Sequence, residues 1–266
     1  ITAETYLTDV QALACHLPDA CHVLNIASNR YAFLVELGAS IVKGIVSLLP
    51  SSLTPESLNQ LRQFDPGLLV IADQLPESIC CDFIDPTSTM GNPPIEFQIP
   101  QISDDQLIAR VFTSGSTGQP VPHEKHWGSL VSNIERMSHK LQLPEQATII
   151  GTTPSQHMYG FESTILLCLL QGAVLFDEKP FFPADITHAL ESVAAPKVLV
   201  TAPFHLETLL DSGVNLPTIS HVTSATAPLP SVIARCAEQS LSCQLSEIFG
   251  ATETGQIAIR KPTQTD

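Results

Sequence analysis

Short apolar runs alternate with segments of helical spacing along most of this chain, and turn residues separate them. Val23-Leu24-Asn25-Ile26-Ala27 reads as a strand, Tyr31 to Val42 as a helix, and Ile45 to Leu49 as a second strand closed by Pro50-Ser51-Ser52. Thr54 is placed to cap a helix that has Pro55 at its first position and runs to about Phe64. Leu68 to Ala72 is a third strand. The order β-α-β-α-β predicts an α/β fold with mostly parallel sheets covered by helices. The alternation resumes later. Strands are expected at Leu107 to Phe112, Ala147 to Thr153, Ala173 to Phe176, Lys197 to Thr201 and Ile219 to Ser224, with an extended run from Leu241 to Phe249. Helices are expected at Lys125 to Leu141, Phe161 to Leu170, Pro183 to Val193, Phe204 to Leu210 and Ser231 to Glu238. Between the halves, residues 76–100 carry Pro86, Pro93, Pro94 and Pro100. Only edge strands are expected there, at Cys81 to Ile84 and Ile95 to Ile99. That break divides the chain into approximate lobes 1–105 and 106–266. No internal repeat is evident.

The bulk properties agree with a folded enzyme-sized body. The chain has 266 residues, 44% of them hydrophobic and 15% charged, enough for a sizeable core. A net charge of −15 argues against general nucleic-acid binding, which needs a basic face. The seven cysteines (Cys15, Cys21, Cys80, Cys81, Cys168, Cys236 and Cys243) are scattered and form no C-x-x-C, which predicts reduced thiols and a cytoplasmic protein. No basic-then-apolar leader opens the chain. The longest apolar run, Ile165 to Leu170, is too short for a membrane span. The chain begins without Met, so a trimmed fragment is expected.

Four polar, turn-rich clusters each follow an expected strand. They are Thr113-Ser114-Gly115-Ser116-Thr117-Gly118-Gln119-Pro120, Thr152 to Gly160, Thr223 to Pro230, and Phe249-Gly250-Ala251-Thr252-Glu253-Thr254-Gly255. In parallel sheets ligands bind beyond the carboxyl ends of the strands, so the clusters can meet at one crevice. The first is built like a phosphate cradle: glycines let the backbone approach an anion and hydroxyls add donors. It is not a Walker loop, having no terminal Gly-Lys-Ser/Thr. A flexible linker is the competing reading.

Glu253 stands between two threonines in an otherwise uncharged loop, a setting that suits an oxygen ligand to Mg²⁺ on a nucleotide. A glutamate at a helix start capped by Thr252 fits the local sequence equally well. His157, in Pro154-x-x-His157-x-x-Gly160, can donate to a carboxylate or phosphate. Lys125 is the only lysine near the cradle and can serve as a point cation there, or be a solvated helix lysine. Trp127 reads as a packing residue. No Gly-x-Ser-x-Gly elbow and no dinucleotide Gly-x-Gly-x-x-Gly is present, and His123 and His126 lack the other members of a zinc site.

Taken together and in order, the clusters resemble the adenylate-forming superfamily, which includes acyl-CoA synthetases, the adenylation domains of peptide synthetases and luciferases. Phe112 to Pro120 is similar to its phosphate-binding signature, and Pro154-x-x-His157-x-x-Gly160 to its next motif, at the edge of the acid pocket. Ala225-Thr226-Ala227-Pro228-Leu229 is similar to the adenine-side loop, and Phe249 to Gly255 to the aromatic-Gly-x-Thr-Glu motif. The resemblance covers roughly Val23 to Ile259. It implies the large N-terminal domain of that fold, built as two stacked βαβ lobes, with the small C-terminal domain and its catalytic lysine missing beyond Asp266.

The resemblance implies a two-step acid–thiol ligase. A carboxylate attacks the α-phosphate of ATP to give acyl-AMP and pyrophosphate, and a thiol of CoA or of a carrier-protein phosphopantetheine then takes the acyl group. Thr113, Ser114, Gly115, Ser116, Thr117 and Gly118 would hold the β- and γ-phosphates. Thr252 would touch the α-phosphate and Glu253 would hold Mg²⁺. Phe249 with Gly250, and the Ala225, Thr226 and Ala227 loop, would sandwich the adenine. His157, Tyr159, Gly160 and Ala251 would border the acid. Thr117, His157, Glu253 and Lys125 would carry catalysis. The expected partners are a small carboxylic acid and ATP, with an acyl carrier protein and a homodimer left open. One departure concerns the cradle: the usual Pro-Lys-Gly is here Pro120-Val121-Pro122, and Lys125 is the candidate replacement. A non-catalytic nucleotide- or acid-binding module on the same fold is the alternative.

Overall fold

The computed structural model describes residues 1–86, 99–113 and 120–264. They form two compact units, Ile1–Leu130 and Val131–Asp266.

The first unit is a five-stranded sheet in the order β3-β1-β2-β4-β5. Its strands are β1 (His22–Ile26), β2 (Val46–Leu49), β3 (Leu69–Ala72), β4 (Leu107–Thr113) and β5 (Val121–His126). β1 runs parallel to β2 and β3, and β2 parallel to β4. Successive side chains on a strand point to opposite faces, and β1 shows the result. Val23 packs with Val10, Leu13, Val35 and Ala39 of α1 (Ala3–His16) and α2 (Arg30–Lys43). Leu24 and Ile26 pack on the other side with Leu58 and Leu61 of α3 (Pro55–Phe64). The helix ends are set locally. Asn29 accepts a hydrogen bond from the Ala32 N–H to start α2, and Gly44 at φ 71° ends it. At α3, Thr54 and Ser57 cap each other reciprocally and Pro55 occupies the first turn.

Ahead of the first expected strand lies α1, which the strand–helix alternation did not announce. Its signal is present in Tyr6, Val10, Leu13 and Leu17, spaced to line one helical face. A second difference concerns Lys125. The expected helix from Lys125 starts instead at Trp127, as α4 (Trp127–Leu141), and Lys125 lies on β5, 6% exposed and paired across the ladder with Ala109 of β4. β5 is antiparallel to β4 and forms the sheet edge, a position that accepts Pro122 because an edge N–H need not pair. Within the proline-rich connection, Ile84 makes a lone bridge to Ile71, and residues 87–98 lie outside the described residues.

The second unit is a six-stranded sheet in the order β11-β10-β9-β8-β6-β7. The strands are β6 (Thr148–Gly151), β7 (Val174–Leu175), β8 (Lys197–Thr201), β9 (His221–Ser224), β10 (Gln244–Ala251) and β11 (Gly255–Arg260). Its pairings are parallel except β10–β11, an antiparallel ribbon at the edge. Ile150, Leu199, Val222 and Leu245 of this sheet pack with residues of α7 (Pro183–Ser192), α8 (Pro203–Asp211) and α9 (Ser231–Ser240). The expected buried helix after β6 is α5 (Met158–Gly160), running without a break into a π-helical turn, Phe161–Leu166, and then α6 (Leu167–Gln171). Such wide turns often accompany functional sites. Among the described residues no helix is long and apolar enough to cross a membrane.

His221 is buried on β9, within hydrogen-bond reach of Ser246 Oγ at 3.0 Å. Burial, and then the charge of Lys261, push its pKa down to about 4. The unfolded chain takes up this proton near pH 6.5 and the folded chain only near 4, so the fold loses stability as pH falls between them. That loss reaches roughly 3 kcal/mol. Thermal unfolding should show Tm falling from pH 6.5 to 4, and His221→Gln should flatten part of that slope.

Candidate active site

The loops that follow β6, β9 and β10 converge on a cavity of about 700 Å³ in the second unit. This lies within the usual size of small-molecule sites, at the carboxyl ends of parallel strands where such sites form.

The β6 loop supplies His157 and Tyr159. His157 caps α5, its Nδ1 accepting the Tyr159 backbone N–H at 3.3 Å. A nitrogen that accepts carries no proton, so the neutral ring bears its hydrogen on Nε2. Burial lowers the His157 pKa in the same direction. The Tyr159 hydroxyl is within 2.9 Å of Thr223 Oγ1, and burial raises its pKa strongly. Gly160 is required by contact: a Cβ there would sit 2.0 Å from the Pro154 carbonyl oxygen. That explains the spacing Pro154-x-x-His157-x-x-Gly160, since the loop folds back onto the first turn of the helix. Beyond it, Glu162 is 4% exposed, lines the cavity and accepts a hydrogen bond from Asn133 Nδ2 at 2.5 Å.

The β9 loop contributes Ala225, Thr226, Ala227 and Pro228. Thr226 has φ 80°, a conformation that a β-branched residue rarely adopts and that surrounding contacts must hold. One such contact is Glu247 of β10, whose Oε1 accepts the Leu229 N–H at 2.8 Å. Its Oε2 accepts from Arg260 Nε at 2.6 Å. The Glu247 side chain is 9% exposed and that of Arg260 55%. The carboxylate therefore ties the β9 loop to the far strand of the ribbon, with its charge compensated.

The ribbon itself forms one wall. Directly opposed residues of an antiparallel pair share a face, and the register sets Glu247 against Arg260 and Phe249 against Ala258. A register shift follows, after which Gly250 opposes Gln256. Gln256, Ala258 and Arg260 line the cavity as alternate residues of β11. Phe249 is 66% exposed, an aromatic face with small Ala258 as its cross-strand neighbour. At the tip, Gly255 has φ 71°, and a Cβ there would lie 2.5 Å from Glu162 Oε1 and 2.8 Å from Asn133 Nδ2. The turn thus rests directly on the Glu162–Asn133 pair.

Of the residues singled out from the sequence, His157, Tyr159, Ala225, Thr226, Ala227, Phe249, Gly250, Ala251 and Thr252 line this cavity. Gly160 is buried behind Tyr159, and Glu253 is exposed in the turn between Thr252 and Gly255. Thr113 and Lys125 belong to the first unit, where Thr113 ends β4 with its Oγ1 3.1 Å from His123 Nε2. Ser114, Gly115, Ser116, Thr117 and Gly118 lie outside the described residues. The cavity adds Glu162, Glu247, Gln256 and Arg260, which the loop clusters did not point to. The alternation Gln256-Ile257-Ala258-Ile259-Arg260 carries the strand signal that could have found β11. Among the described residues no three His, Cys, Asp or Glu side chains gather to cage an ion.

The profile of the AMP-binding enzyme family matches residues 22–266. A 4-coumarate–CoA ligase of Rhodobacter capsulatus is 33% identical over 151 residues, 56% of this chain and 38% of the ligase. The solved structure of o-succinylbenzoate CoA synthetase from Bacillus subtilis in complex with ATP and magnesium ion superposes with a TM-score of 0.77 at 18% identity, covering 97% of this chain and 56% of that one. An acyl-CoA synthetase from Brucella canis gives a TM-score of 0.79 at 15% identity, covering 97% and 52%. The chain thus spans little more than half the length of these solved structures, and less of the ligase. Two largely parallel, helix-covered sheets are the fold it shares with them. On a family match spanning nearly its whole length, the chain belongs to the AMP-binding enzymes.

Proposed function

We propose that this chain is the nucleotide- and acid-binding portion of a ligase that converts a carboxylic acid to an acyl-adenylate, releasing pyrophosphate, and passes the acyl group to a thiol of CoA or of a carrier protein. The observation that carries the reading is the one cavity into which three separate loop clusters bring an aromatic ring, a loop with a positive-φ threonine and a histidine whose Nδ1 accepts a backbone N–H.

In this reading Phe249 and the Ala225–Ala227 loop flank the adenine, with Gly250 allowing close approach. His157, Tyr159, Gly160 and Ala251 border the acid, and His157 Nε2–H donates to the acid carboxylate or to a phosphate oxygen. The reaction is an in-line displacement, so the acid border must hold the carboxylate oxygen against the α-phosphate. Thr252 donates to the α-phosphate from the ribbon turn, and the 113–118 segment with Thr117 serves the outer phosphates. Lys125, buried on β5, is assigned to the same phosphates. Mg²⁺ characteristically takes one or two carboxylates and completes its shell with phosphate oxygens and water. A single exposed carboxylate, Glu253, fits that pattern, and the bound ion would neutralise phosphate charge.

The test is acid-dependent ATP–pyrophosphate exchange by the full-length product of the gene, screened over aryl, fatty and amino acids. Exchange with at least one class is expected. ATP or AMP binding with no exchange for any acid would instead favour the non-catalytic binding module.

A further inference from the structure

The segment assigned to the outer phosphates joins β4 to β5 along the chain, and both of its ends belong to the first unit. Thr113, the last residue of β4, opposes Val121 across the ladder and has its Oγ1 3.1 Å from His123 Nε2. Pro120, just ahead of β5, lines a hollow of about 230 Å³ together with Phe64 and Phe112. β5 depends on side-chain ties for its place. As an edge strand it has a ladder on one side only, and Pro122 has no N–H to give to it.

The tie that reaches furthest is Arg110, on β4 directly opposite Glu124 of β5. Its Nη2 donates to Glu124 Oε1 at 2.9 Å, and its Nη1 to His22 Nε2 at 2.5 Å. A guanidinium cannot accept, so His22 Nε2 is the acceptor and the ring proton sits on Nδ1, which donates to Asp65 Oδ2 at 2.7 Å. The hydrogen bond from His22 is the main cause that lowers the Asp65 pKa, and the one from Arg110 does the same for Glu124. Arg110 Cζ also stands 5.5 Å from the centre of the Phe64 ring, which meets Phe112 edge-on at 5.9 Å. The start of β1, the end of α3, β4 and β5 are thus linked through one side chain. The Glu124 side chain is 52% exposed, and ion pairs so open to water add little to stability. What a planar fork of five donors does supply is direction as well as distance to each acceptor.

We propose that Arg110 is a positioning residue for ATP: it sets the hairpin that carries the phosphate-holding segment, and so governs the grip on the β- and γ-phosphates without touching the nucleotide. This rests on the assignment of residues 113–118 to those phosphates.

The experiment measures binding of ATP and of AMP, each with Mg²⁺, to the full-length product and its variants by titration calorimetry. AMP shares the base, ribose and α-phosphate and lacks the outer phosphates. Arg110→Met keeps the stem and removes the fork. It should raise the Kd for ATP about tenfold, within the range of changes remote from a ligand, and leave that for AMP within about twofold. Glu124→Gln cuts the tie at a half-exposed position where folding is little affected, and should weaken ATP alone in the same way. Equal weakening of ATP and AMP overturns the proposal, because it marks a general loss of structure. Unchanged ATP binding overturns it too, read from Arg110→Met if that variant folds and from Glu124→Gln if it does not. A wild type that binds ATP no more tightly than AMP overturns the assignment of 113–118 and the proposal with it. A wild type that binds neither nucleotide overturns the nucleotide reading as a whole.

Discussion

Glu253→Gln should lower acid-dependent pyrophosphate exchange by about 10²–10³-fold, the usual effect of removing one group that stabilises transition-state charge. Glu253 is exposed in the turn between β10 and β11, while the neighbouring Thr252 lines the cavity. The substitution keeps size and polarity and removes the charge, so Tm should stay within the small range of surface substitutions, about 0.5 kcal/mol in stability. The loss should be partly recovered by raising Mg²⁺, because a weakened ligand lowers ion occupancy before it abolishes the reaction. Exchange close to wild type at low Mg²⁺ would remove Glu253 from the ion and leave it as a turn residue.

Gly160→Ala should act in the opposite way, through the fold first. The added Cβ would stand 2.0 Å from the Pro154 carbonyl oxygen, a backbone atom that cannot rotate aside. The same oxygen accepts the His157 N–H at 3.2 Å, so the Pro154–His157 turn must shift as a piece. A cost of about 3 kcal/mol, the upper end of overpacking, should appear as a lower urea midpoint with unchanged slope. The histidine moves with its turn, and a displacement near 1 Å is enough to reduce kcat/KM by about 10²-fold in the fraction that stays folded. Wild-type stability in this variant would show that the loop relaxes freely and that the spacing has no steric origin.

These two substitutions also mark what the chain reveals before it folds. Glu253 and Gly160 both stand in polar, turn-rich clusters that follow an apolar strand, so their importance is legible locally. The same holds for the helix starts at Asn29 and Thr54, where a capping side chain reads only its own next three residues. The alternation of strands and helices is visible because apolar period changes at each boundary. The edge strands β5 and β11 were not visible. Pro122 argues against a strand until the neighbour is known to be β4 on one side only, and Lys125 reads as helical until its pairing with Ala109 places it on a ladder.

The wall of the cavity follows the same division. Phe249 was marked by its motif, whereas Gln256, Ala258 and Arg260 became part of the site only through the register that sets β11 against β10. Glu247 and Arg260 are 13 residues apart and meet at 2.6 Å only because the ribbon folds back. Glu162 entered through Asn133, 29 residues before it.

The α/β alternation, the loop clusters and the family are all legible in the order of residues, because period, caps and glycine-hydroxyl loops are set by interactions within a few residues. Folding alone made Lys125 a strand residue opposite Ala109 and brought Gln256, Ala258 and Arg260 to the cavity wall. Those facts depend on which distant backbone lies within a few ångströms, and that is fixed by strand register and close packing rather than by any local preference.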